Sequence, residues 1–273
     1  MNQPILSKRG AVWLDALTRS APLVPGFVAS VRVVDSTLAG EPARYIAVVP
    51  DPDNPFPRAR SGEVGLIEGW QLARAVRQVV EADADKPVKR PIVAIVDVTS
   101  QAYGRNEEAY GIHQALAASA DAYATARLEG HPVISLIVGK AMSGAFLAHG
   151  YQANRVIALA DPQVLVHAMG KESAARVTMR TVAALEAFAA NVPPMAYDIQ
   201  SFASLGLLWK LLDVGAPDAP SQADQDIVER TLADALDDIR KDPSRGIENR
   251  LNGAHRSASR EVRERLRAEW HRA

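Results

Sequence analysis

Residues 132–146 have the sequence PVISLIVGKAMSGAF, in which a short apolar run passes into a group of small residues. Such an apolar run is typical of a β-strand that is buried on both faces. The small residues that begin at Gly139 predict a tight turn, and the residues from Gly144 onward predict the start of a helix. The stretch therefore predicts a strand, a turn and a helix in direct succession.

The same order occurs once before in the chain. Residues 91–98, PIVAIVDV, form a second apolar run, and the turn after it leads to a long helix for which Asn106 is the predicted N-cap. A third strand is predicted at residues 155–160. Strands that alternate with helices in this way favour an α/β fold in which neighbouring strands are parallel and the crossovers are right-handed.

Other patterns predict elements around this centre. Residues 28–34 and 45–49 indicate two paired strands that are joined by a polar turn. Apolar residues at helical spacing predict a helix over residues 65–81. Further helices are expected over residues 183–188, 205–212, 225–241 and 261–270. We expect one domain over residues 1–246 and a charged helical tail over residues 247–273.

Composition excludes several classes of function. The chain has 273 residues, of which 48% are hydrophobic and 23% charged, which is ordinary for a globular protein. Its 31 Lys and Arg against 32 Asp and Glu give a net charge of −1, so no overall basic field for nucleic acid is present. The longest apolar run is too short for a membrane helix, which needs about 18 residues.

The absence of cysteine also limits the chemistry. With no Cys in the sequence, a thiol nucleophile, a thiolate metal site and a disulfide framework are all excluded. This fits a reducing cytoplasm, where we expect the protein to act. The common metal-binding motifs and Gly-rich phosphate loops do not occur either, so we expect no metal site.

The turn after residues 132–138 is the strongest candidate for a site. Small residues let a ligand approach the backbone, and the first amides of a helix can donate hydrogen bonds to an anion. Such donors stabilise negative charge that develops during a reaction, and the loss of one costs about 2.7–4 kcal/mol. The alternative is that Gly139 and Gly144 only permit close packing of the strand and helix.

The turn after residues 91–98 is expected to face the same crevice as the turn after residues 132–138, because open α/β sheets bind their ligands at the carboxyl ends of parallel strands.

Ser143 also permits a different hypothesis. In a nucleophile elbow, a serine between small residues links a strand to a helix. Such a serine needs a base, and His113, His149 and His167 are all available. A serine hydrolase that uses Ser143 is therefore an alternative.

Several motifs together resemble a known family. Residues 97–101 (DVTSQ), 106–111 (NEEAYG) and 138–146 (VGKAMSGAF) are similar to the carboxyltransferase branch of the crotonase-like superfamily. With residues 9–17 (RGAVWLDAL) and 164–173 (VLVHAMGKES), the chain more closely resembles the gamma subunit of biotin-independent malonate decarboxylase. The likeness extends to about Gly246. It implies an α/β fold with a crotonase-like ββα spiral core and flanking helices.

The resemblance also implies an activity and partners. A subunit of this family pairs with a homologous beta subunit, and the active site lies between the two. An acyl-carrier-protein subunit presents a malonyl thioester on a phosphoribosyl-dephospho-CoA-type prosthetic group, and an acyl-transferase subunit completes the complex. Decarboxylation gives an acetyl thioester and CO2 without biotin. A non-catalytic partner subunit of such a complex is a further alternative.

The expected site follows from the two turns. The wider family has Gly-Gly-Ala where this chain has Ser143, Gly144 and Ala145, which are the predicted catalytic residues. Their amides hold either the thioester oxygen or the departing carboxylate, and both assignments remain open. The proton for the acetyl carbon could come from Tyr103, His149 or water. The predicted substrate-binding residues are Thr99, Gln101, Tyr103, Gly104, Gly139 and Met142.

Overall fold

A computed structural model describes residues 6–242, 244–251 and 253–270. The strands of the described chain are β1 Val31–Leu38, β2 Glu41–Val48, β3 Ile92–Val98, β4 Val133–Met142, β5 Arg155–Leu159, β6 Val166–His167 and β7 Lys210–Leu212. They form one mixed sheet in the order β1-β2-β3-β4-β5-β7, and β6 pairs with the end of β4. The β1–β2 pair is antiparallel, whereas the other pairs are parallel.

The centre of the sheet confirms the predicted parallel strands. In β3 and β4, Val93 lies opposite Ile134 and Ile95 lies opposite Leu136, and all four side chains are buried. Val96 pairs with Ile137 and Val98 pairs with Ala141, so the register shifts here and the extra residues of the irregularity lie in β4. Strands that are buried on both faces need the continuous apolar runs found in this sequence.

Helices surround this sheet. They are α1 Arg9–Thr18, α2 Leu66–Ala82, α3 Arg105–Ala109, α4 Ile112–Leu128, α5 Ser143–Ala148, α6 Lys171–Val177, α7 Val182–Ala189, α8 Ile199–Ser204, α9 Gln222–Lys241 and α10 Ser257–Trp270. Of the helices that the structure describes, none combines the length and the apolar character needed to cross a membrane.

Two predicted helices differ from the structure. The stretch 205–212 is not a helix, because Gly206 adopts a φ of 71° after α8 and Lys210–Leu212 extend to pair with β5. The helix that was predicted to begin at Asn106 is divided into α3 and α4 at Gly111, which has a φ of 83°. Its N-cap is Gly104 rather than Asn106. Left-handed backbone is the usual conformation at which a helix ends.

Close packing of α2 on α4 generates a prediction about stability. A Cβ atom added to Gly69 would lie 2.7 Å from the backbone of Ala115, so the two helices would have to separate. We expect Gly69→Ala to lower the free energy of unfolding by about 1–3 kcal/mol, since overpacking at a rigid backbone contact has this cost. Denaturant unfolding of the purified chain measures this change. Glu81→Ala on the exposed end of α2 is the control and should change stability by less than about 0.5 kcal/mol. Equal stability of the Gly69→Ala variant and the wild type would contradict the tight crossing.

Candidate active site

The turns that follow β3 and β4 meet at one edge of the sheet. The side-chain oxygen Oε1 of Gln101, in the first turn, accepts a hydrogen bond of 2.6 Å from the backbone N–H of Gly144, in the second. A Cβ atom at position 144 would lie 2.4 Å from the same oxygen, so glycine is what permits this approach. The structure thus brings two of the predicted site residues into contact. It also shows that the Gly144 N–H has a hydrogen-bond partner within the chain.

Ser143 has a strained backbone. Its φ is 57°, and the preceding residue, Met142, is extended with φ −110° and ψ 143°. A side chain in the left-handed region costs roughly 1–2 kcal/mol, which glycine avoids. The position therefore resembles the sharp strand-to-helix corner of a nucleophile elbow in its backbone conformation.

A cavity of about 470 Å³ opens beside this corner. Most of its lining is apolar. The lining residues are Ala141, Ser143, Gly144, Phe146, Leu147, Tyr151, Val166, His167, Ala168, Pro193, Pro194, Ala196, Phe202, Leu205, Leu207, His255, Arg256 and Ser259. A crevice of this kind, with a few polar groups in an apolar wall, is the usual form of a small-ligand site.

The remaining predicted residues of the second turn do not line this cavity. Ala145 is fully buried in α5. The Met142 side chain is buried in a small apolar cluster with Ala175, Leu185 and Tyr197. Gly139 lies farther back in β4, where it lines a different cavity of about 610 Å³. The structure therefore does not bring Gly139 together with Ser143 and Gly144 in one cavity.

Gly139 packs against a buried carboxylate. A Cβ atom at this position would lie 2.1 Å from Oδ1 of Asp97, which lies in β3 opposite the irregular part of β4. Asp97 accepts hydrogen bonds from the Ser7 hydroxyl and from the backbone N–H groups of Gly10 and Lys140. These contacts account for the glycine through packing, which is the structural alternative considered for it.

The other residues of the first turn are less enclosed. The Thr99 N–H donates to the backbone oxygen of Gly62 at 3.3 Å, which holds the turn against the loop before α2. Tyr103 is exposed, and Gly104 is the extended N-cap of α3, packed closely against Glu107 and Arg58. Their assignment to substrate binding stays a prediction.

The histidines differ in what they can do. His149 is fully buried, with Nδ1 3.0 Å from the Tyr123 hydroxyl and Nε2 3.0 Å from the backbone oxygen of Ile95. The carbonyl can only accept a hydrogen bond, so Nε2 carries the proton and Nδ1 accepts from Tyr123. Both nitrogens are occupied, and burial lowers the pKa of His149 to about 4. His149 is therefore neither a base for Ser143 nor a ready proton donor.

His167 is the candidate base that shares the cavity with Ser143. Its Nδ1 interacts with the backbone of Met169, its ring stacks on Tyr197 at 3.9 Å between centroids, and burial lowers its pKa. The partner of Nδ1 is thus a main-chain group, whereas the third member of a catalytic triad is usually a carboxylate. His113 is exposed on α4. This arrangement does not favour the serine hydrolase.

Sequence reasoning missed three residues of the cavity wall. His255, Arg256 and Ser259 come from the tail that precedes and begins α10. The sequence of the predicted tail gave no local signal of this contact, because it is a mixture of charges without an apolar pattern until Val262. Within the described residues, no group of three or more His, Asp or Glu side chains could hold a metal ion.

Large apolar side chains are exposed on the elements that carry or flank the two turns. Tyr103 and Tyr110 belong to the first turn and α3, Leu147 lies on α5, and Val177 and Met179 follow at the end of α6. Met179 is 92% exposed and Tyr110 is 73% exposed. Other large apolar side chains, among them Trp70, Leu128 and Trp270, are exposed elsewhere on the described chain.

A family model described as the malonate decarboxylase gamma subunit matches residues 59–270. This chain belongs to that family. The resemblance identified from the sequence motifs is thereby confirmed. A chain in the crystal structure of a Pseudomonas malonate decarboxylase hetero-tetramer in complex with coenzyme A is 63% identical, with a TM-score of 0.92 over 96% of this chain and 99% of that chain. A chain of a Pseudomonas MdcD–MdcE hetero-dimer is 62% identical, with a TM-score of 0.89 over 97% and 100%.

Two more distant proteins are also similar to this chain. The malonyl-S-ACP:biotin-protein carboxyltransferase MADD of Malonomonas rubra is 36% identical over 161 residues, which are 58% of this chain. The chain spans about half the length of that relative, since the match covers 55% of it. A transcarboxylase 12S chain is 20% identical with a TM-score of 0.64, over 89% of this chain and 44% of that one. This structural likeness confirms the predicted crotonase-like α/β fold.

The conformation of Ser143 predicts the effect of replacing it. Ser143→Gly removes the Cβ atom from a left-handed backbone and so relieves roughly 1–2 kcal/mol of strain in the folded state. The greater freedom of glycine in the unfolded chain costs about 0.5–1 kcal/mol of stability. We expect the free energy of unfolding to rise by about 0.5–1 kcal/mol in the Gly variant. Ser143→Ala, which keeps the strain, is the matched control and should not be stabilised. Denaturant unfolding of both variants measures the difference, and a Gly variant less stable than the Ala variant would contradict the strain.

The burial of His149 predicts a dependence of stability on pH. An unfolded histidine takes up a proton near pH 6.5, whereas folded His149 does so only near pH 4. As the pH falls from 7 to 4, the unfolded state therefore binds more protons and the folded chain loses on the order of 3 kcal/mol from this group. His149→Gln, which cannot titrate, should show a shallower loss of stability over this range. The exposed His113→Gln variant is the control and should follow the wild type. Parallel pH profiles for wild type and His149→Gln would contradict the assignment.

Proposed function

We propose that this chain is one half of a malonyl-thioester decarboxylase, with an active site between it and a homologous beta subunit. The observation that carries the proposal is the Gly144 N–H, held by an acceptor oxygen at the wall of a cavity in a chain of the malonate decarboxylase gamma family. The oxygen of Gln101 marks where an acceptor sits on this amide. A substrate oxygen would replace it there when the thioester binds.

The reaction places negative charge at a defined position. When the bond between the malonyl methylene carbon and its carboxylate breaks, the bonding electrons move toward the thioester carbonyl and form an enolate, and CO2 leaves. Fixed N–H donors stabilise this charge with little reorganisation in a crevice from which water is excluded. The carboxylate must also be held so that the breaking bond overlaps the carbonyl system, which is a matter of positioning. A proton then reaches the methylene carbon, and the occupied nitrogens of His149 favour Tyr103 or water as its source.

The residues of this chain have separate parts in the proposal. Ser143, Gly144 and Ala145 supply backbone donors at the corner, and Gln101 orients the Gly144 N–H until substrate binds. Thr99, Tyr103 and Gly104, which do not line the cavity, would contact the part of the substrate outside it, and Met142 would support the corner through its apolar cluster. Gly139 acts more indirectly, by letting Asp97 pack beneath the turn.

The partners follow from the same proposal. In this proposal the beta subunit covers five exposed apolar side chains, Tyr103, Tyr110, Leu147, Val177 and Met179. The relatives crystallised as a hetero-dimer and hetero-tetramers support this assembly. We infer that an acyl-carrier-protein subunit presents the substrate on a phosphoribosyl-dephospho-CoA-type arm, that an acyl-transferase subunit loads it, and that the complex is cytoplasmic. The arm supplies the thioester, for which the largely apolar cavity of about 470 Å³ offers room.

The decisive experiment is an assay of the co-purified complex. We expect it to release CO2 from a malonyl thioester, and to do so equally with avidin present, because biotin takes no part. The chain without its beta partner should be poorly active and should self-associate in light scattering. Inhibition by avidin would instead indicate carboxyl transfer to biotin, and a fully active monomer would contradict a shared site.

Substitutions within the chain test the corner itself. Gly144→Val displaces the Gln101 side chain and blocks the amide, so the rate of CO2 release should fall by about 100-fold or more while the complex still assembles. Ser143→Gly is the control and should retain activity, because it keeps every backbone donor. Normal turnover by assembled Gly144→Val would show that the turn is only structural. Ester hydrolysis that is abolished by Ser143→Ala in the chain alone would support the hydrolase instead.

A further inference from the structure

The cavity beside Ser143 has an unusual balance of charge. Among the described residues that line it, Arg256 is a permanent cation, His167 and His255 are the other titratable groups apart from Tyr151, and no carboxylate is present. Most of the wall is apolar, so an ionic interaction there is stronger than the same interaction in water. A cavity of this composition fits an anion better than a neutral or cationic ligand.

Arg256 is anchored at the cavity rather than placed on a loose tail. Its Nη1 donates to the backbone oxygen of Arg250 at 3.2 Å. Arg250 is 5% exposed, donates at 2.6 Å to the backbone oxygen of Tyr151, and packs over the Tyr151 ring. Tyr151 is itself part of the cavity wall. The tail is therefore attached to the cavity wall through the buried Arg250, six residues before Arg256.

The guanidinium of Arg256 has N–H groups left for a ligand. In the part of the chain that the structure describes, it donates one hydrogen bond, to the backbone oxygen of Arg250. Arginine presents five N–H donors in a planar fork that matches carboxylate and phosphate oxygens. Burial lowers the pKa of the neighbouring His167 and so favours its neutral form, whereas Arg256 is cationic at any physiological pH.

We propose that Arg256 binds an anionic oxygen group of the acyl substrate in the cavity beside Ser143. This inference rests on the proposed function for the identity of the substrate. A malonyl thioester on a phosphate-bearing arm offers two such groups, the carboxylate of the malonyl end and a phosphate of the arm. Both present the same chemistry to a guanidinium, and both lie away from the enolate oxygen.

The position of the charge predicts how Arg256 acts on the kinetics. A phosphate does not change during the reaction, so its contact stabilises ground state and transition state equally and affects KM alone. A carboxylate loses its charge as CO2 departs, so a cation there favours the ground state. Loss of that contact would raise KM without lowering kcat. In either case Arg256 is a binding residue whose removal does not reduce kcat.

The test uses the complex with its beta subunit and two substrates. Malonyl-CoA carries both the carboxylate and phosphates, whereas malonyl-S-N-acetylcysteamine carries only the carboxylate. We expect Arg256→Gln to raise KM for malonyl-CoA by about 10- to 100-fold with kcat maintained, which corresponds to the loss of a hydrogen bond to a charged group. Arg256→Lys should recover part of the affinity. Arg260→Gln, an exposed arginine one turn along α10, is the matched control and should leave KM unchanged.

The two substrates identify the group that is bound. An equal rise in KM for both substrates assigns Arg256 to the carboxylate. A rise for malonyl-CoA alone, with weaker competitive inhibition by acetyl-CoA, assigns it to a phosphate. KM values within twofold of wild type for both substrates, or an equal effect of Arg260→Gln, would overturn the proposal, provided that circular dichroism shows a folded complex.

Direct binding separates this proposal from the proposed function. If the wild-type complex releases no CO2, the proposed decarboxylation fails. The role of Arg256 is then decided by calorimetric titration of the complex with acetyl-CoA and with malonate. Weaker binding of either ligand to Arg256→Gln than to Arg260→Gln supports an anion site, and unchanged binding of both ligands overturns it.

Discussion

Parallel pairing of β3 with β4 is the constraint on which the rest of the structure depends. Because both strands run in one direction and are buried on both faces, their turns emerge at the same edge of the sheet. Gln101 and Gly144 are far apart in sequence, but the pairing leaves them close enough for a hydrogen bond of 2.6 Å. An antiparallel pair would have placed these turns at opposite edges, and no shared crevice would form.

Asp97 shows how this edge is stabilised from within. Its carboxylate lies against Gly139, in the irregular part of β4, and accepts hydrogen bonds from backbone N–H groups of α1 and β4. Gly139 and Gly144 therefore have different tasks despite their proximity in sequence. The first admits a supporting carboxylate beneath the turn, and the second admits an acceptor oxygen at the cavity.

The cavity combines parts that the chain brings from distant regions. The corner at Ser143 offers backbone donors, the wall around Phe146 is apolar, and the tail adds Arg256. In the proposed reaction these parts divide the work, because donors at the corner act where charge develops and a cation in the wall acts on a charge that the substrate already carries. In the same proposal, the beta subunit covers the exposed apolar side chains and supplies the remaining wall.

The sequence was sufficient for the strand–turn–helix units and for the two turns of the candidate site, since apolar runs and small residues act over a few neighbouring positions. Family membership was also recognisable from motifs such as residues 138–146. The tertiary structure alone decided that residues 210–212 form a strand, because an extended segment is stabilised by its partner β5. It likewise decided that Gln101 occupies the Gly144 amide, that His149 is fully bonded, and that Arg256 reaches the cavity. Hydrogen-bond partners and cavity walls depend on contacts between residues far apart in the chain, and such contacts cannot be predicted from local periodicity.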